Sequence, residues 1–303
     1  IGGGCPFQAS TADGGFSSFA ERIDANKVRQ RSPSFHDHFS QATLFYNSQS
    51  PAEKRHLVNA LRFELGKVEI PEIRTRMLGI LSQVDKDLAS QVAEGLGIPV
   101  PAKPEQPINH SFGADTDPKS VQPKKVKLSL ETSAALSMAN TVKDTIKSRK
   151  IAALIADGFD GKHLESMKKA LMAEGATLKT VAPRLGVIKT ADGKAVVADF
   201  SLLTAASVLF DAVYIPPGPA SVETLSANAD ACHFVDEAYK HCKAICSTGD
   251  TTSFLDSTYV GDAEDDDAAV ILAGNPAKAA ALFITAIANH RNWDREAARK
   301  VPA

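Results

Sequence analysis

The chain has 303 residues, a length that fits two domains or one domain with a substantial appendage. Hydrophobic residues make up 44% and charged residues 23%, which is ordinary for a soluble globular protein with a sizeable core. The net charge of −2 gives no reason to expect nucleic acid or an anionic membrane as a partner. No apolar run approaches the roughly 20 residues that a membrane-spanning helix needs.

The start of the chain and its cysteines limit the interpretation further. The chain begins at Ile1 without a methionine or a signal-peptide pattern, so we expect a fragment, which leaves the cellular compartment unknown. The four cysteines Cys5, Cys232, Cys242 and Cys246 form no CxxC pair and have no zinc-binding spacing. So few cysteines in a chain of this length also argue against a disulfide framework.

Residues 1–48 are predicted to be an irregular arm. Glycine-rich pieces occur at residues 2–4 and 13–15, and seven aromatic residues are scattered between Phe7 and Tyr46. Such a segment cannot form a core of its own, so we expect it to pack along another surface.

Two helices are predicted over residues 49–98. The first begins with Ser50 as its N-cap and a glutamate three residues later, the pattern of a capping box. The second begins near Pro71 and ends near Gly95 or Gly97. Each helix carries one apolar stripe at helical spacing, so we expect the two to pack as a hairpin. The second stripe consists of Ile73, Met77, Ile80, Leu81, Val84, Leu88 and Val92.

Six prolines lie among polar residues between positions 99 and 125. They predict a semi-rigid linker and the clearest domain boundary in the chain. The next segment, residues 126–148, is predicted to be partly helical over about 133–147 and still connecting. Residues 99–148 are therefore assigned to a linker with a connecting helix.

From Lys150 onward, the chain alternates between apolar strands and amphipathic helices. Strands are predicted at residues 150–156, 176–183, 211–218, 243–246 and 268–274. Helices are predicted at residues 163–175, 221–242 and 275–293, and a further helix begins near residue 247. This order predicts an α/β fold for residues 149–303, a flavodoxin-like, doubly wound parallel sheet with helices on both faces.

Two sets of motifs resemble the haem catalases. The stretch ERIDANKVRQRSPSFHDHFSQATLFYNSQSPAEKRHLVNALRFELGKV resembles their C-terminal arm and α-helical segment. The later order of KIAALIADGFDG, DAVYIPPG, EAYKHCKAICSTGD and AIANHRNWDREAARKVPA resembles only the large-subunit catalases. The resemblance covers essentially the whole chain. It implies a flavodoxin-like last domain similar to the class I glutamine amidotransferase superfamily, in its branch of proteases, glyoxalases and chaperones.

The resemblance also implies where the chemistry lies. Catalysis in the family uses a distal His, a distal Asn and a proximal Tyr on an upstream haem barrel. The proximal Tyr lies in an Arg-x-x-x-Tyr-x-Asp-Thr-Gln pattern, which this sequence lacks; its tyrosines are Tyr46, Tyr214, Tyr239 and Tyr259. We therefore expect hydrogen-peroxide disproportionation, haem and a homotetramer of catalase subunits for the intact protein. In this chain we expect no catalytic residue, no cofactor and no metal.

Cys246 is the one candidate nucleophile. In KAICSTGD, an apolar strand, a cysteine and a nearby glycine resemble the strand-to-helix turn that presents a nucleophile. A helix N-terminus near Ser247 would lower the pKa of the thiol. The active branch of the superfamily has Ala-Ile-Cys-His-Gly-Pro, whereas here Ser247 replaces the His, Gly249 comes one residue late and Asp250 replaces the Pro. We therefore expect an inert cysteine at the end of a strand, with a reactive thiol as the alternative.

Asp157 and Asp160 are the acids that could support Cys246, although neither lies in a matching motif. The eight histidines show no trustworthy metal-ligand spacing, and the pair His36 and His38 is expected to be packed or solvated. No Gly-x-Gly-x-x-Gly follows a strand, so we do not expect a nucleotide or flavin.

Two charged runs have simple interpretations. The acidic run at residues 261–270 is expected to be a solvated turn, because the ligand spacing of a calcium loop is absent. The basic residues of the arm would by themselves suggest phosphate binding, but the resemblance to catalases implies that they pack against an acidic surface of a neighbouring subunit in a tetramer. They are Arg22, Lys27, Arg29 and Arg31.

Three functions follow as hypotheses. The first is the stabilising and assembly part of a large-subunit catalase. The second is a molecular chaperone, in which apolar surface of the α/β domain binds unfolded client proteins. The third is residual hydrolase or glyoxalase-like chemistry at Cys246.

Overall fold

The computed structural model describes residues 5, 7–25, 32–261 and 267–298. In the arm, residues 7–25 have no regular element apart from a single 3-10 turn at Thr11–Asp13. A helical segment, a linker and an α/β domain follow. No helix within the described ranges is long and apolar enough to cross a membrane.

The helical segment contains four helices where the sequence predicted two. They are α1 (Ser40–Ser48), α2 (Pro51–Gly66), α3 (Pro71–Val84) and α4 (Lys86–Leu96). The capping box of α2 is confirmed, since Ser50 Oγ accepts from Glu53 N and Glu53 accepts from Ser50 N. All four helices contribute to one apolar core. Its buried residues are Tyr46, Val58, Leu65, Leu78, Leu88, Val92 and Ala93.

The prediction of one continuous second helix was wrong at Asp85. This residue has extended backbone angles, and its side chain accepts a hydrogen bond of 2.8 Å from Leu88 N. In a continuous helix, a backbone carbonyl would accept the hydrogen bond from Leu88 N. Here the Asp85 carboxylate accepts it instead, so one helix ends before Asp85 and a new helix begins after it. The apolar stripe continues across the break, since α3 and α4 pack on the same core.

The boundary of the irregular arm was also placed too late, because α1 begins at Ser40. The Asp37 carboxylate accepts from the Ser40 side chain and from Ser40 N, and these hydrogen bonds lower the pKa of Asp37. A carboxylate at the start of a helix satisfies free N–H groups and favours the positive end of the dipole. At the other end of α1, the Tyr46 side chain is buried in the helical core.

The connecting helix predicted over about 133–147 does not form. Only two 3-10 turns occur there, at Ala134–Leu136 and Met138–Asn140. Glu53 instead accepts hydrogen bonds of 2.8 Å from Ser137 Oγ and from Met138 N. These contacts bind the linker to the start of α2, so tertiary hydrogen bonds replace the helical ones.

The α/β domain has a six-stranded parallel sheet, which confirms the predicted fold class. The strands are β1 (Lys150–Leu154), β2 (Thr177–Ala182), β5 (Phe200–Ser201), β6 (Ala212–Ile215), β7 (Ala244–Thr248) and β8 (Val270–Ala273). They lie side by side in the order β5-β2-β1-β6-β7-β8. Without the edge strand β5, this is the 2-1-3-4-5 order of flavodoxin-like folds. A separate antiparallel hairpin, absent from the prediction, consists of β3 (Gly186–Lys189) and β4 (Ala195–Ala198).

Helices cover both faces of the sheet. One apolar cluster lies under α5 (Gly161–Ala173) and α9 (Pro276–Ala288). The other lies under α6 (Pro219–Ser226), α7 (Ala229–Lys240) and α8 (Thr252–Leu255). The predicted helix over 221–242 is therefore two helices, because Asn228 caps α7 by accepting from Ala231 N. A short final helix, α10, spans Arg295–Ala298.

Candidate functional site

Cys246 lies in the middle of β7, not at its end. The strand continues through Thr248, and Cys246 is paired with Tyr214 on β6 and with Ile271 on β8. Its side chain is fully buried in the cluster under α5 and α9. Burial raises the pKa of the Cys246 thiol far above its usual range. The thiol is therefore protonated and enclosed, which disfavours nucleophilic attack.

The turn after β7 lies too far along the chain to present Cys246. The left-handed residue is Gly249, with φ of 68°, and a Cβ there would lie 2.7 Å from Pro217 Cβ. The next helix, α8, begins at Thr252 and has only four residues. The predicted helix N-terminus near Ser247 was wrong, because the strand extends by two residues beyond the cysteine. Ser247 Oγ instead lies 2.6 Å from Thr251 Oγ1.

The two acids proposed to support Cys246 have other partners. Asp157 accepts from Lys189 N at 2.7 Å and from Arg184 at 3.0 Å, and these interactions lower the pKa of its half-exposed carboxyl group. Asp160 caps α5 by accepting from the N–H groups at the start of that helix. In the part of the chain that the structure describes, neither acid forms a hydrogen bond with Cys246.

A hydrogen-bonded network that the sequence analysis missed lies at this edge of the sheet. Tyr214 OH is 2.7 Å from Thr248 Oγ1, which in turn lies 3.0 Å from His163 Nδ1. Burial raises the pKa of the Tyr214 phenol far above its usual range. The sequence did contain one indication of this network. The carboxyl ends of neighbouring parallel strands meet at one edge of a sheet, so polar residues near those ends are expected to lie close together. The network satisfies a buried phenol and holds β6, β7 and α5 together.

The structure also describes the possible metal ligands and some of the basic residues of the arm. Across the described residues, no group of three or more His, Cys, Asp or Glu side chains could hold a metal ion. His38 packs against the rings of Phe35 and Phe39. Arg22 is exposed and pairs with Asp24 at 3.0 Å. The other basic residues of the arm, Lys27, Arg29 and Arg31, lie outside the described residues.

The acidic run was predicted to be a solvated turn. Residues 262–266 lie outside the described residues, but Asp267 contradicts the prediction. Its carboxylate accepts from Arg295 Nε at 2.7 Å and from Asn292 Nδ2 at 2.7 Å, and both side chains of the ion pair are almost completely buried. Asp267 stays enclosed because Arg295 compensates its charge.

Three of the four tyrosines do not fit the role of a haem ligand. Tyr46 lies in the helical core, and Tyr214 is hydrogen-bonded to Thr248 inside the sheet. The Arg295 guanidinium lies over the ring of Tyr239, with 4.3 Å between Arg295 Cζ and the centre of that ring. An axial tyrosine must face a pocket that holds the porphyrin, and these three side chains are packed against protein instead.

Comparison with known proteins identifies relatives of both structural regions. Residues 32–96 match a family model described as "Catalase-related immune-responsive". Residues 147–297 match the "C-terminal domain found in long catalases".

Curated relatives match along nearly the whole chain. Catalase HPII of Pseudomonas putida is 41% identical, over 100% of this chain and 40% of the relative. Catalase-2 of Bacillus subtilis is 37% identical, over 96% of this chain and 39% of the relative. Catalase-1 of Neurospora crassa is 34% identical, over 96% of this chain and 40% of the relative. The chain thus spans about two-fifths of the length of these proteins.

Proposed function

The chain belongs to the family of long catalases, and on this premise we propose that it stabilises and assembles a catalase whose haem chemistry takes place elsewhere. The intact protein would disproportionate hydrogen peroxide on a haem-binding region outside residues 1–303. Residues 1–303 would contribute contacts within and between the subunits of a homotetramer.

The observation that carries this proposal is the exposure of the arm. Phe7 is 80% exposed and Phe19 is 86% exposed, and Phe16 and Ile23 are exposed as well. The aromatic contact between Phe7 and Phe16, at 5.0 Å between ring centres, leaves most of this surface open. A series of exposed apolar side chains on an extended segment is typical of a surface that another protein region covers.

The helical segment and the α/β domain support a stabilising role because they contact each other. His56 Nε2 on α2 lies 2.8 Å from Glu296 Oε1 on α10, and the His56 ring packs near Trp293. In the linker, Ser137 Oγ and Met138 N donate further hydrogen bonds to Glu53 on α2. The α/β domain and the linker would therefore restrain the helical segment.

Deletion of the α/β domain together with the second half of the linker tests the stabilising role. Removing residues 126–303 from the intact catalase should lower its unfolding temperature, measured by scanning calorimetry. An unchanged unfolding temperature would contradict the proposal.

Substitutions in the arm test the assembly role. Phe16→Ser and Phe19→Ser together should reduce the tetramer fraction of the intact catalase in sedimentation velocity. Val142→Ser is the matched control, since Val142 is an exposed apolar residue outside the arm. Equal sedimentation of both variants and the parent protein would oppose a role of the arm in assembly.

A chaperone is the second candidate function. Leu203 and Val208, beside the edge strand β5, are 88% and 77% exposed. Apolar side chains of this kind favour contact with non-native chains. The chain in molar excess should then suppress light scattering by a heat-labile protein, and Leu203→Ser with Val208→Ser should remove the effect. Unchanged scattering would exclude this function.

Residual chemistry at Cys246 is the third candidate, and its burial and raised thiol pKa both oppose it. Hydrolase or glyoxalase-like activity that disappears in Cys246→Ser would support it. Absence of activity in the parent chain would exclude it.

A further inference from the structure

A charged cluster lies at the amino edge of the sheet, opposite the edge that carries the His163–Thr248 network. Arg149 precedes β1, Asp211 precedes β6 and Lys243 precedes β7. His290 and Arg291 follow α9, and the next residue, Asn292, donates from its N–H to Cys242 O at 2.9 Å. We call Arg149, Asp211, Lys243, His290 and Arg291 the amino-edge cluster.

The cluster contains more positive than negative charge. Its one carboxylate, Asp211, accepts from Arg149 Nη1 at 3.1 Å and from the backbone N–H of Lys150 at 2.8 Å. Within the described residues, Lys243 and Arg291 form no ion pair. Lys243 is buried and Arg291 is half-buried, and removing a cation from water without an anionic partner is costly, so this arrangement is unusual in a folded protein.

Backbone carbonyls are the partners of these two cations. Lys243 Nζ donates to Ser207 O at 2.6 Å, and Arg291 Nη1 donates to His290 O at 2.7 Å. An ammonium has three N–H donors and a guanidinium has five. Both groups therefore retain donors for a further acceptor.

The neighbouring carboxylates are used by other cations. Glu237 pairs with Lys240 at 3.3 Å, and one of its carboxylate oxygens also lies 3.3 Å from His241 Nε2. Asp267 pairs with Arg295 at 2.7 Å. Neither acid therefore neutralises Lys243 or Arg291 by a direct ion pair.

The electrostatic consequences appear on two members of the cluster. Burial and the charge of Arg291 lower the pKa of Lys243 to about 8. Burial, followed by the charges of Arg291 and Arg149, lowers the pKa of His290 to about 4. His290 Nδ1 is also buried without a hydrogen-bond partner in the described structure. The cations of the cluster thus repel one another, and a polar atom beside them lacks a partner.

The backbone adopts left-handed conformations next to each cation. Three non-glycine residues have positive φ in the described structure: Ser148 (65°), Cys242 (58°) and His290 (69°). They directly precede Arg149, Lys243 and Arg291, respectively. Left-handed angles are costly for residues with a Cβ, and their retention at three separate turns is typical of a functional site.

We propose that the amino-edge cluster binds a small oxyanion of the phosphate or sulfate type. Arg291 would supply paired N–H donors that match two oxygens, Lys243 would supply a point charge, and His290 Nδ1 lies beside them. A small ion fits better than a peptide, because Lys243 is only 3% exposed whereas the Arg149 and Asp211 side chains are about one quarter exposed. The ion would reach the enclosed ammonium from this partly open side.

Binding should be measured on the full chain at pH 7 and constant ionic strength. Sodium phosphate or sodium sulfate should raise the unfolding temperature in a saturable way, whereas sodium chloride should not, because a ligand of the folded state stabilises it by mass action. Isothermal titration calorimetry gives the dissociation constant directly.

Variants locate the site. Arg291→Gln should weaken binding at least tenfold, and Arg291→Lys should weaken it less because it keeps the charge but loses the paired donors. Arg184→Gln is the matched control, since Arg184 lies at the other edge of the sheet and pairs with Asp157. The near-ultraviolet circular dichroism spectrum of Arg291→Lys should match that of the parent chain. This control establishes that the variant is folded when its binding is measured.

The dependence on pH is a second readout. Sulfate, which does not titrate in this range, should bind more weakly as the pH rises through about 8, because Lys243 loses its proton there. Glu237, whose pKa is lowered by its hydrogen bond to Lys240, remains charged throughout, and His290, with a pKa of about 4, remains neutral. Lys243→Met should remove this dependence. Equal stabilisation of the parent chain and Arg291→Gln, or no effect beyond that of chloride, would overturn the proposal.

Discussion

Glu296 Oε1 lies 2.8 Å from His56 Nε2 and joins the last helix of the α/β domain to α2 of the helical segment, 240 residues earlier in the chain. The Glu296 side chain is almost completely buried, whereas His56 is partly exposed. The two structural regions are thus connected by a polar contact that shields a carboxylate from water.

Loss of this contact should destabilise the chain. His56→Ala should lower the free energy of unfolding by about 1 kcal/mol, because Glu296 loses one hydrogen-bond partner in a largely buried position. Urea unfolding followed by Trp293 fluorescence measures the effect, since this tryptophan packs near the His56 ring. His110→Ala, in the exposed part of the linker, is the control and should change the free energy by less than half as much. Equal effects of the two substitutions would contradict the importance of the contact.

The Asp267–Arg295 pair predicts a larger effect. Burial opposes the charge of Asp267, but the hydrogen bonds and charge of Arg295 outweigh it and lower the pKa of Asp267. Asp267→Asn should cost about 3 kcal/mol, because it leaves the buried Arg295 guanidinium without its anion. Asp157→Asn is the matched control and should cost less than about 1 kcal/mol, since its pair with Arg184 is exposed. Urea unfolding at pH 7 measures both values.

The same pair has a defined pH dependence. A carboxyl group whose pKa is lower in the folded state than in the unfolded state stabilises the fold above its unfolded pKa of about 3.9. This stabilisation is lost as the pH falls below that value toward the folded pKa. The unfolding free energy of the parent chain should therefore decrease more steeply below pH 4 than that of Asp267→Asn. Parallel pH profiles would show that the pKa of Asp267 is the same in the folded and the unfolded chain, and would contradict this prediction.

Five of the six strands of the parallel sheet could be predicted from the sequence because they lie in apolar runs, and such runs indicate strands buried on both faces. The edge strand β5 was missed, since its two residues form no run. The hairpin β3–β4 was missed since Val187 and Val197 are exposed and form no such run. Asp85 shows another limit, because an apolar stripe continues unchanged where a capping side chain separates two helices. Local patterns describe which residues are buried, but they do not determine where an element ends.

The candidate site shows the same limit in more detail. The apolar residues before Cys246 predicted a strand, but the pattern could not show that the strand continues through Ser247 and Thr248. Those two polar residues are buried because their hydroxyl groups have partners on other elements. Tyr214 is one of these partners and lies 34 residues away in sequence. Hydrogen bonds across the sheet therefore decided the position of the turn.

Cys246 should be unreactive in the folded chain. Cys5 is exposed, whereas Cys246 is fully buried with a raised thiol pKa, so iodoacetamide should label Cys5 at least 100-fold faster. Mass spectrometry of peptides from timed samples at pH 8 measures both rates. In 6 M guanidinium chloride the two rates should become similar, which serves as the control. Comparable rates in the folded chain would show that Cys246 is accessible and reactive.

Tyr214 should stabilise the fold through Thr248, and a double-mutant cycle tests the pair. Tyr214→Phe and Thr248→Val should each cost about 1–2 kcal/mol, and the double variant should cost about 1 kcal/mol less than the sum, because the two hydroxyl groups share one hydrogen bond. Additive costs in urea unfolding would show that the contact contributes nothing.

Since burial raises the pKa of Tyr214, its neutral form stabilises the fold below pH 10, and this stabilisation is lost at higher pH. The parent chain should therefore lose stability more steeply than Tyr214→Phe above pH 10.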